Sequence, residues 1–450
     1  MQSPPAGVAG TKATAKQPDW LPAHVHSVCI WLAEHELWLL VFIVPVLVIA
    51  PSPLFPAWVA ALALVLVPVP FLARRLAYGQ FSVKTPQDVP LLLLLTMHAV
   101  GAVVTVDMSL TMLVIKRTAL ALAVFFFLVN TIRSQRQVLD MAGMLIAAGL
   151  IMGAVGLLGT NWSTGKVALL QEIYHRLPHI ASAALNAAGF NANIVGGSLA
   201  MIVPVALGLA VSHKGWAHVV YLLAAVFLLA VVVLSQSRGA LLGLAVALAI
   251  MAVAADRRFL WLAPPTAGAL ALAWLTFGPQ SLANLFLATE GTGGTVESRL
   301  ELWQRATYMI QDFPYTGIGS GTFSRVLPIL YPPFLSPPDA VIPHAHQMYL
   351  QAAVDFGIPG FVAFMALLAT LLLVGLDSIL AANPGCRMLT AGLFAGFVVY
   401  LTHGLMDDVT FSTKAAVVLW TIAGLMVAQW RLLRTSPVAP ERGAALRSSL

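Results

Sequence analysis

Two histidines stand close together in a mostly apolar part of the chain. His344 and His346 lie in the segment VIPHAHQMYLQAAVDFGIPG, residues 341–360. An imidazole takes up a proton near neutral pH, so either side chain could serve as a general base. A metal site needs further ligands, but neither an HExxH motif nor a cluster of carboxylates accompanies the pair. Because a histidine at a helix start can also simply hydrogen-bond the backbone, a structural role stays open beside the predicted role as a base.

Asp355 is the acidic residue of the same segment, nine positions after His346. Nine positions of helix turn through about 900° and rise about 13 Å, so these two side chains would lie on opposite faces. If the helix begins near Pro343, His346 lies in its first turn, where the helix dipole helps to keep the imidazole neutral. The sequence therefore predicts a base that does not have Asp355 as its partner.

Arg238 lies in the motif LSQSRGALLGL, between two apolar segments. Its guanidinium presents a planar fork of donors that suits a phosphate or a pyrophosphate. The alternative is an interfacial arginine that extends towards lipid head groups. Ser237, which precedes it, could contribute to the same site or only cap a helix.

A polar segment further along the chain carries more basic residues. Residues 297–326 read ESRLELWQRATYMIQDFPYTGIGSGTFSRV, and the first half has the periodicity of an amphipathic helix that bears Arg299 and Arg305. Proline and glycine then end that helix. The glycine run from Gly317 to Gly321 is not a dinucleotide-binding motif, because no strand precedes it, and it predicts a tight turn.

The elements that must position these residues are those of a membrane protein. Of the 450 residues, 59% are hydrophobic and only 9% are charged, whereas a soluble domain carries about 25% charged residues. A membrane-spanning helix needs about 20 apolar residues, and about twelve segments qualify, which predicts an all-α polytopic membrane protein. They lie near residues 36–51, 53–73, 89–106, 113–132, 138–158, 184–211, 217–236, 239–255, 258–278, 347–376, 387–405 and 413–432.

The distribution of basic residues predicts how these spans are oriented. If both termini are cytoplasmic, most arginines and lysines of the short loops fall on the cytoplasmic side, as the positive-inside rule requires. The other face then carries the longest polar segment. The predicted organisation is a cytoplasmic tail over 1–35, transmembrane helices 1–9 over 36–278, a large extracytoplasmic loop over 279–345, transmembrane helices 10–12 over 346–432 and a cytoplasmic tail over 433–450.

Charge and cysteine content argue against other kinds of site. The net charge of +6 comes from basic residues scattered between apolar runs, which does not indicate a nucleic-acid surface. Cys29 and Cys386 have no CxxC spacing, so neither a disulfide framework nor a thiolate metal site is predicted. The first thirty residues lack a compact apolar stretch with a cleavage site, and are interpreted as a tail and not as a removed signal peptide.

Three segments, in this order, resemble the O-antigen ligase and O-antigen polymerase superfamily. They are SQSRGALLGL, SRLELWQRATYMIQDFPYTGIGSGTF and HAHQMYLQAAVDFGIPG. The resemblance covers roughly residues 190–362 and includes GFNANIVGG, where Asn193 stands at a position that is often asparagine in that superfamily. Gln347 stands where the superfamily usually has asparagine.

The resemblance implies a GT-C-type fold with a helical periplasmic loop, in the bacterial inner membrane, with the active site facing the periplasm. It implies a glycosyltransferase that moves O-antigen polysaccharide from undecaprenyl pyrophosphate to a sugar hydroxyl of the lipid A-core acceptor, with inversion and without a metal or a cofactor. His346 and Arg238 are then the catalytic pair, with the histidine as general base. The implied partners are the lipid-linked glycan donor, the lipid A-core acceptor and membrane lipid, and not nucleic acid.

The resemblance and the residue types together give a set of substrate-binding candidates. They are Arg299, Arg305, Asn193, Ser237, His344 and Tyr349. A single sizeable loop and about twelve spans favour the ligase over the polymerase, and both over a protein O-oligosaccharyltransferase. A membrane transporter is the alternative from another class, but it predicts inverted repeats and polar residues at the membrane midplane, whereas the polar residues here gather on one face.

Overall fold

The computed structural model describes residues 18–36, 56–160, 190–287, 296–336, 340–408 and 416–435, together with residues 162, 173, 174, 176 and 177. Within these ranges the chain forms fifteen α-helices, one 3-10 helix at Arg257–Leu262 and no β-strand longer than a single bridge. In this described part of the chain, nine helical segments are long and apolar enough to cross a membrane. The prediction of an all-α polytopic membrane protein is therefore confirmed.

The helices are numbered in chain order. They are α1 (Ala23–Glu34), α2 (Ala57–Leu66), α3 (Val69–Tyr78), α4 (Asp88–Val104), α5 (Met108–Thr131), α6 (Gln135–Gly159), α7 (Ala192–Ser212), α8 (Trp216–Leu234), α9 (Arg238–Ala255), α10 (Ala263–Leu287), α11 (Val296–Asp312), α12 (Phe323–Leu330), α13 (Met348–Ala381), α14 (Pro384–His403) and α15 (Ala416–Thr435).

The nine long segments correspond to nine of the predicted spans. The predicted span at 89–106 is α4, a shorter apolar helix. The predicted span at 53–73 is not one helix in its described part, because α2 and α3 are separate helices with Pro68 between them. The predicted span at 36–51 and the predicted tail over 433–450 fall almost entirely outside the described residues, while the second half of the predicted tail over 1–35 is described and contains α1.

Helices α7 and α14 form the centre of the bundle, and glycines allow their backbones to approach closely. A Cβ atom added at Gly392 or at Gly396 would lie 2.4 Å from the carbonyl oxygen of Pro204 or of Met201, respectively. A Cβ atom at Gly208 would lie 2.6 Å from a backbone carbonyl of α14. Small residues at helix crossings are how membrane helices pack without large side chains between them.

The glycine run of the polar segment packs against a break in α13. This helix is interrupted at Gly357, where φ is +66°. The break frees backbone groups that pair with the preceding turn: Ile318 N–H donates to the Val354 carbonyl at 2.9 Å, and Ile358 N–H donates to the Pro314 carbonyl at 2.7 Å. The segment that contains the glycine run and the segment that contains Gly357 are thus hydrogen-bonded to each other.

The tight turn predicted for the glycine run is confirmed. Gly317, Gly319 and Gly321 all have positive φ. A Cβ atom at Gly317 would lie 2.5 Å from the backbone of Asp355, and one at Gly319 would lie 3.0 Å from the side chain of Thr105. The turn therefore joins α13 to the connection between α4 and α5.

The candidate functional residues lie at one end of the bundle. Helix α8 ends there, α9 and α13 begin there, and α14 ends there. The loops at the other end carry most of the basic residues of the bundle: Arg74, Arg75, Arg133, Arg136, Lys214, Arg257, Arg258, Arg387 and Arg434.

Candidate active site

The segment that holds the two histidines precedes the helix. Helix α13 begins at Met348, and the Gln347 side chain caps it by accepting the Leu350 N–H. His346 has φ of +51°, a left-handed conformation that a residue other than glycine rarely adopts. The expectation that His346 lies in the first helical turn is wrong, because Gln347 is the N-cap and the helix begins at Met348, two residues after His346.

Hydrogen bonds to the backbone on both sides of His346 hold this conformation. The buried Ala345 donates its N–H to Gln351 Oε1 at 2.8 Å and accepts from Trp303 Nε1 at 3.1 Å. Met348 N–H donates to the Gly404 carbonyl at 2.8 Å. Contacts to α11, α13 and the end of α14 therefore fix the orientation of the His346 side chain.

Asp407, just after α14, is the hydrogen-bond partner of His346. His346 Nδ1 lies 3.2 Å from Asp407 Oδ1, while His344 Nδ1 lies 4.0 Å from the same oxygen. Since an ionised carboxylate only accepts, Nδ1 of His346 donates in this pair, and the neutral tautomer with this hydrogen bond has its lone pair on Nε2. This is the arrangement of an imidazole base that a carboxylate orients.

His344 has a different role in the same cluster. Its Nδ1 accepts the backbone N–H of His346 at 3.3 Å, and the two rings meet edge to face with centroids 4.4 Å apart. Burial and the positive charges of His346 and Arg299 lower the pKa of His344 to about 4, although Asp407 opposes the shift. His344 is therefore neutral at pH 7, and its Nδ1 supports the backbone of the neighbouring histidine.

Asp407 is ionised at neutral pH. Burial alone would raise its pKa, but the hydrogen bond from His346 and the positive charge that the surrounding histidines carry once they are protonated in acid hold the pKa well below its usual range. The backbone N–H of Asp408 also donates to Asp407 Oδ1, at 2.9 Å. A carboxylate so held supplies negative charge next to His346.

Two arginines flank this pair. Arg299 is 7% exposed and donates from Nη1 to the carbonyl of Met406 at 2.9 Å. Burial and the like charge of Arg238 lower the pKa of Arg299, while the charge of Asp407 raises it. Arg238 adjoins the same segment, because a Cβ atom added at the next residue, Gly239, would lie 3.2 Å from the side chain of Met406. Arg238 is the first residue of α9, where the helix dipole adds further positive potential.

The turn that carries Arg238 is tightly packed. Gln236 has φ of +49°, and Ser237 occupies the N-cap position of α9 without a capping bond from its side chain. Its hydroxyl instead lies 3.4 Å from Nε2 of the buried His403. A Cβ atom at Gly196 of α7 would lie 2.1 Å from the hydroxyl oxygen of Ser235. Helices α7 and α14 thus position the arginine.

One ligand atom each of His344, His346 and Asp407 lie within 4.8 Å of one another, a grouping that could hold a metal ion. The expectation that no carboxylate accompanies the histidines is thus wrong in three dimensions. Arg238 and Arg299 make the surroundings positive, however, and this charge favours an anion over a divalent cation at this place.

Three other candidates make different contacts. The Tyr349 hydroxyl donates to the Leu401 carbonyl at 2.9 Å. Arg305 forms an ion pair with Glu301 at 3.4 Å and lies over the ring of Phe334. Asn193 is the second residue of α7, one turn before Gly197, where an added Cβ atom would lie 2.9 Å from the His403 ring.

Sequence reasoning missed Asp407 and His403. Both lie in the segment HGLMDD, residues 403–408, directly after an apolar helix. Two consecutive carboxylates and a histidine at the end of a membrane span are the signal that could have found them, because ionisable residues are costly there.

The fold and the site together define a multi-pass membrane protein with a histidine–aspartate pair and two arginines at one end of its helix bundle. Residues 223–365 match the family model described as O-antigen ligase. The match agrees with the resemblance of this segment to the O-antigen ligase and polymerase superfamily, and supports an enzyme of O-antigen ligase or polymerase type. The matched range holds Arg238, Arg299 and both histidines, and ends before Asp407. No curated protein matches the chain.

Proposed function

We propose that this protein transfers O-antigen polysaccharide from undecaprenyl pyrophosphate to a sugar hydroxyl of the lipid A-core acceptor. The observation that carries the proposal is the 3.2 Å contact between His346 Nδ1 and Asp407 Oδ1, beside Arg238 and Arg299. A base that a carboxylate orients can activate a hydroxyl, and two guanidinium groups can bind a pyrophosphate. The base and the phosphate-binding groups that the reaction requires thus lie together at one end of the bundle.

The proposed reaction is a single displacement. Nε2 of His346 takes the proton of the acceptor hydroxyl as its oxygen attacks the anomeric carbon. The bond from that carbon to the pyrophosphate oxygen breaks, and the configuration at the carbon inverts. Asp407 stabilises the imidazolium that forms, while Arg238 and Arg299 stabilise the negative charge on the leaving pyrophosphate. The imidazolium then releases its proton to water.

The distribution of basic residues supports a periplasmic site in the bacterial inner membrane. The loops opposite the site carry most of the arginines and lysines of the bundle, and such loops stay in the cytoplasm. The site end then faces the periplasm, and the loop helices α11 and α12 lie on that side. Ser237, Asn193, His344, Arg305 and Tyr349 stay proposed substrate contacts at or near this end.

The lipopolysaccharide of cells that lack the gene tests the proposed acceptor. Loss of the whole polysaccharide ladder, with polymer accumulating on the lipid carrier, is the expected result for a ligase. A band that carries a single repeat unit would instead identify a polymerase. An unchanged pattern would contradict both functions.

Replacing Arg238 with lysine is expected to remove most of the transfer activity. Lysine keeps the charge but loses the planar fork of donors that can bind two phosphate oxygens at once. The measurement is transfer from a purified carrier-linked donor in detergent. Arg434→Lys is the matched control, because Arg434 pairs with Asp377 at the other end of the bundle, and it is expected to retain activity. Full activity of Arg238→Lys would favour an arginine that only contacts lipid head groups.

Transfer is expected to persist in the presence of a chelator. The proposed reaction uses the cluster of His344, His346 and Asp407 as a hydrogen-bonded base and not as metal ligands. Purified protein is assayed after dialysis against EDTA and again after a divalent ion is added back. Activity that EDTA abolishes and the ion restores would show that the cluster holds a metal.

A further inference from the structure

The end of α12 and the segment that follows it expose large apolar side chains. Ile329 is 76% exposed, Leu330 58%, Phe334 81% and Leu335 56%. We call these four residues the apolar lip. The opposite face of α12 is buried, with Phe323 and other apolar residues in the small core of the loop. Several large apolar residues exposed within one short segment mark a surface that contacts another apolar phase.

Charged residues of α11 hold the lip in its outward orientation. The two carboxylate oxygens of Glu301 accept the backbone N–H groups of Phe334 and Leu335 at 2.7 and 2.9 Å. Arg305 pairs with the same carboxylate and lies 5.0 Å from the centroid of the Phe334 ring. The Tyr331 hydroxyl, between the two halves of the lip, donates to Asp312. The exposure of the lip is therefore fixed by specific contacts.

The lip adjoins the ends of membrane-spanning helices. Arg325 of α12 forms an ion pair at 3.3 Å with Asp107, the N-cap residue of α5. Ile329 lies one helical turn after Arg325 on the same face. Next to Asp107, Val106 is 67% exposed and Met108 is 51% exposed. The apolar surface of the lip thus continues that of the α4–α5 connection, next to the start of α5, which is long and apolar enough to cross a membrane.

We propose that the apolar lip inserts into the bilayer leaflet at the site end of the bundle, with leaflet hydrocarbon as its occupant. An apolar face flanked by basic residues is how an interfacial segment binds a membrane, and Arg305 and Arg325 flank this one. The proposal depends on the membrane-spanning fold and not on the proposed reaction. Because Glu301 binds the lip and Arg299 lies two residues earlier in α11, insertion would also hold this arginine at the membrane surface.

Depth-dependent quenching tests the insertion. The full-length protein, with Cys29 and Cys386 replaced by serine, receives a single cysteine as Ile329→Cys or Phe334→Cys. It is labelled with an environment-sensitive fluorophore and reconstituted in phosphatidylcholine–phosphatidylglycerol nanodiscs. Thr307→Cys, on the exposed polar face of α11, is the matched control. Size-exclusion profiles verify that each variant is folded.

Labels at 329 and 334 are expected to emit at shorter wavelength than the label at 307. Interfacial segments insert about 5–10 Å, so spin labels high on the acyl chains are expected to quench them more than spin labels near the chain ends. Emission like that at 307, without quenching, would overturn the proposal. A blue shift that lipid spin labels do not quench, or that arises only when lipid A-core is added, would also overturn the proposal. It would show that the lip binds something other than leaflet hydrocarbon. None of these results depends on glycan transfer, so failure here is distinguishable from failure of the proposed function.

Discussion

Replacing His346 with alanine is expected to lower glycan transfer by about 10²- to 10⁴-fold, the usual contribution of a general base. Alanine has no group that can take the proton of the acceptor hydroxyl, while the proposed pyrophosphate contacts of Arg238 and Arg299 are left in place. The loss should therefore appear in the rate of transfer at saturating donor and acceptor. The measurement uses purified carrier-linked donor and acceptor in detergent, with expression and monodispersity verified.

The same substitution at His344 is the matched control. His344 lies 4.0 Å from Asp407 and accepts the backbone N–H of His346, so it supports the backbone without holding the proton that reacts. His344→Ala is expected to retain a substantial fraction of the activity. An inactive His344→Ala with an active His346→Ala would reverse the two roles. Two active variants would mean that histidine is not the base and that the arginines carry the reaction by positioning.

Replacing Asp407 with asparagine is expected to lower transfer by about 10²-fold or more, towards the loss of about 10⁴-fold that the same change causes in a serine protease. Asparagine fits the space and its carbonyl can accept the Asp408 N–H, but it lacks the charge that stabilises the imidazolium. Its amide group can also donate to His346 Nδ1 and so select the tautomer that leaves no lone pair on Nε2. The substitution should lower the rate of transfer at saturating substrates and leave the affinity for the donor largely unchanged.

Asp377→Asn controls for the loss of one carboxylate. Asp377 accepts from Arg434 and Trp430 at the other end of α13, so its substitution removes the same charge far from the site. It is expected to leave transfer unchanged. If Asp407→Asn were as active as the wild type, the carboxylate would have no part in orienting the base.

The sequence by itself determined the class of the fold. Nine predicted spans are long apolar helices, because burial in lipid requires an apolar composition over each whole helix, and that property is local. The glycine turn was predictable for the same reason, since positive φ at Gly317, Gly319 and Gly321 depends on the residue type. Arg238 and His346 could be selected as candidates because ionisable side chains are rare in such a chain.

The tertiary structure decided what those residues contact. His346 meets Asp407 across 61 positions of the chain, and Arg299 meets the Met406 carbonyl across 107. The left-handed backbone at His346 is held by hydrogen bonds to its neighbouring residues from three different helices. Periodicity and spacing describe neighbours along one helix, whereas these contacts depend on how close helix packing brings the ends of α9, α11, α13 and α14 together. Pairing of buried charges is therefore a property of the packed bundle and not of any single segment.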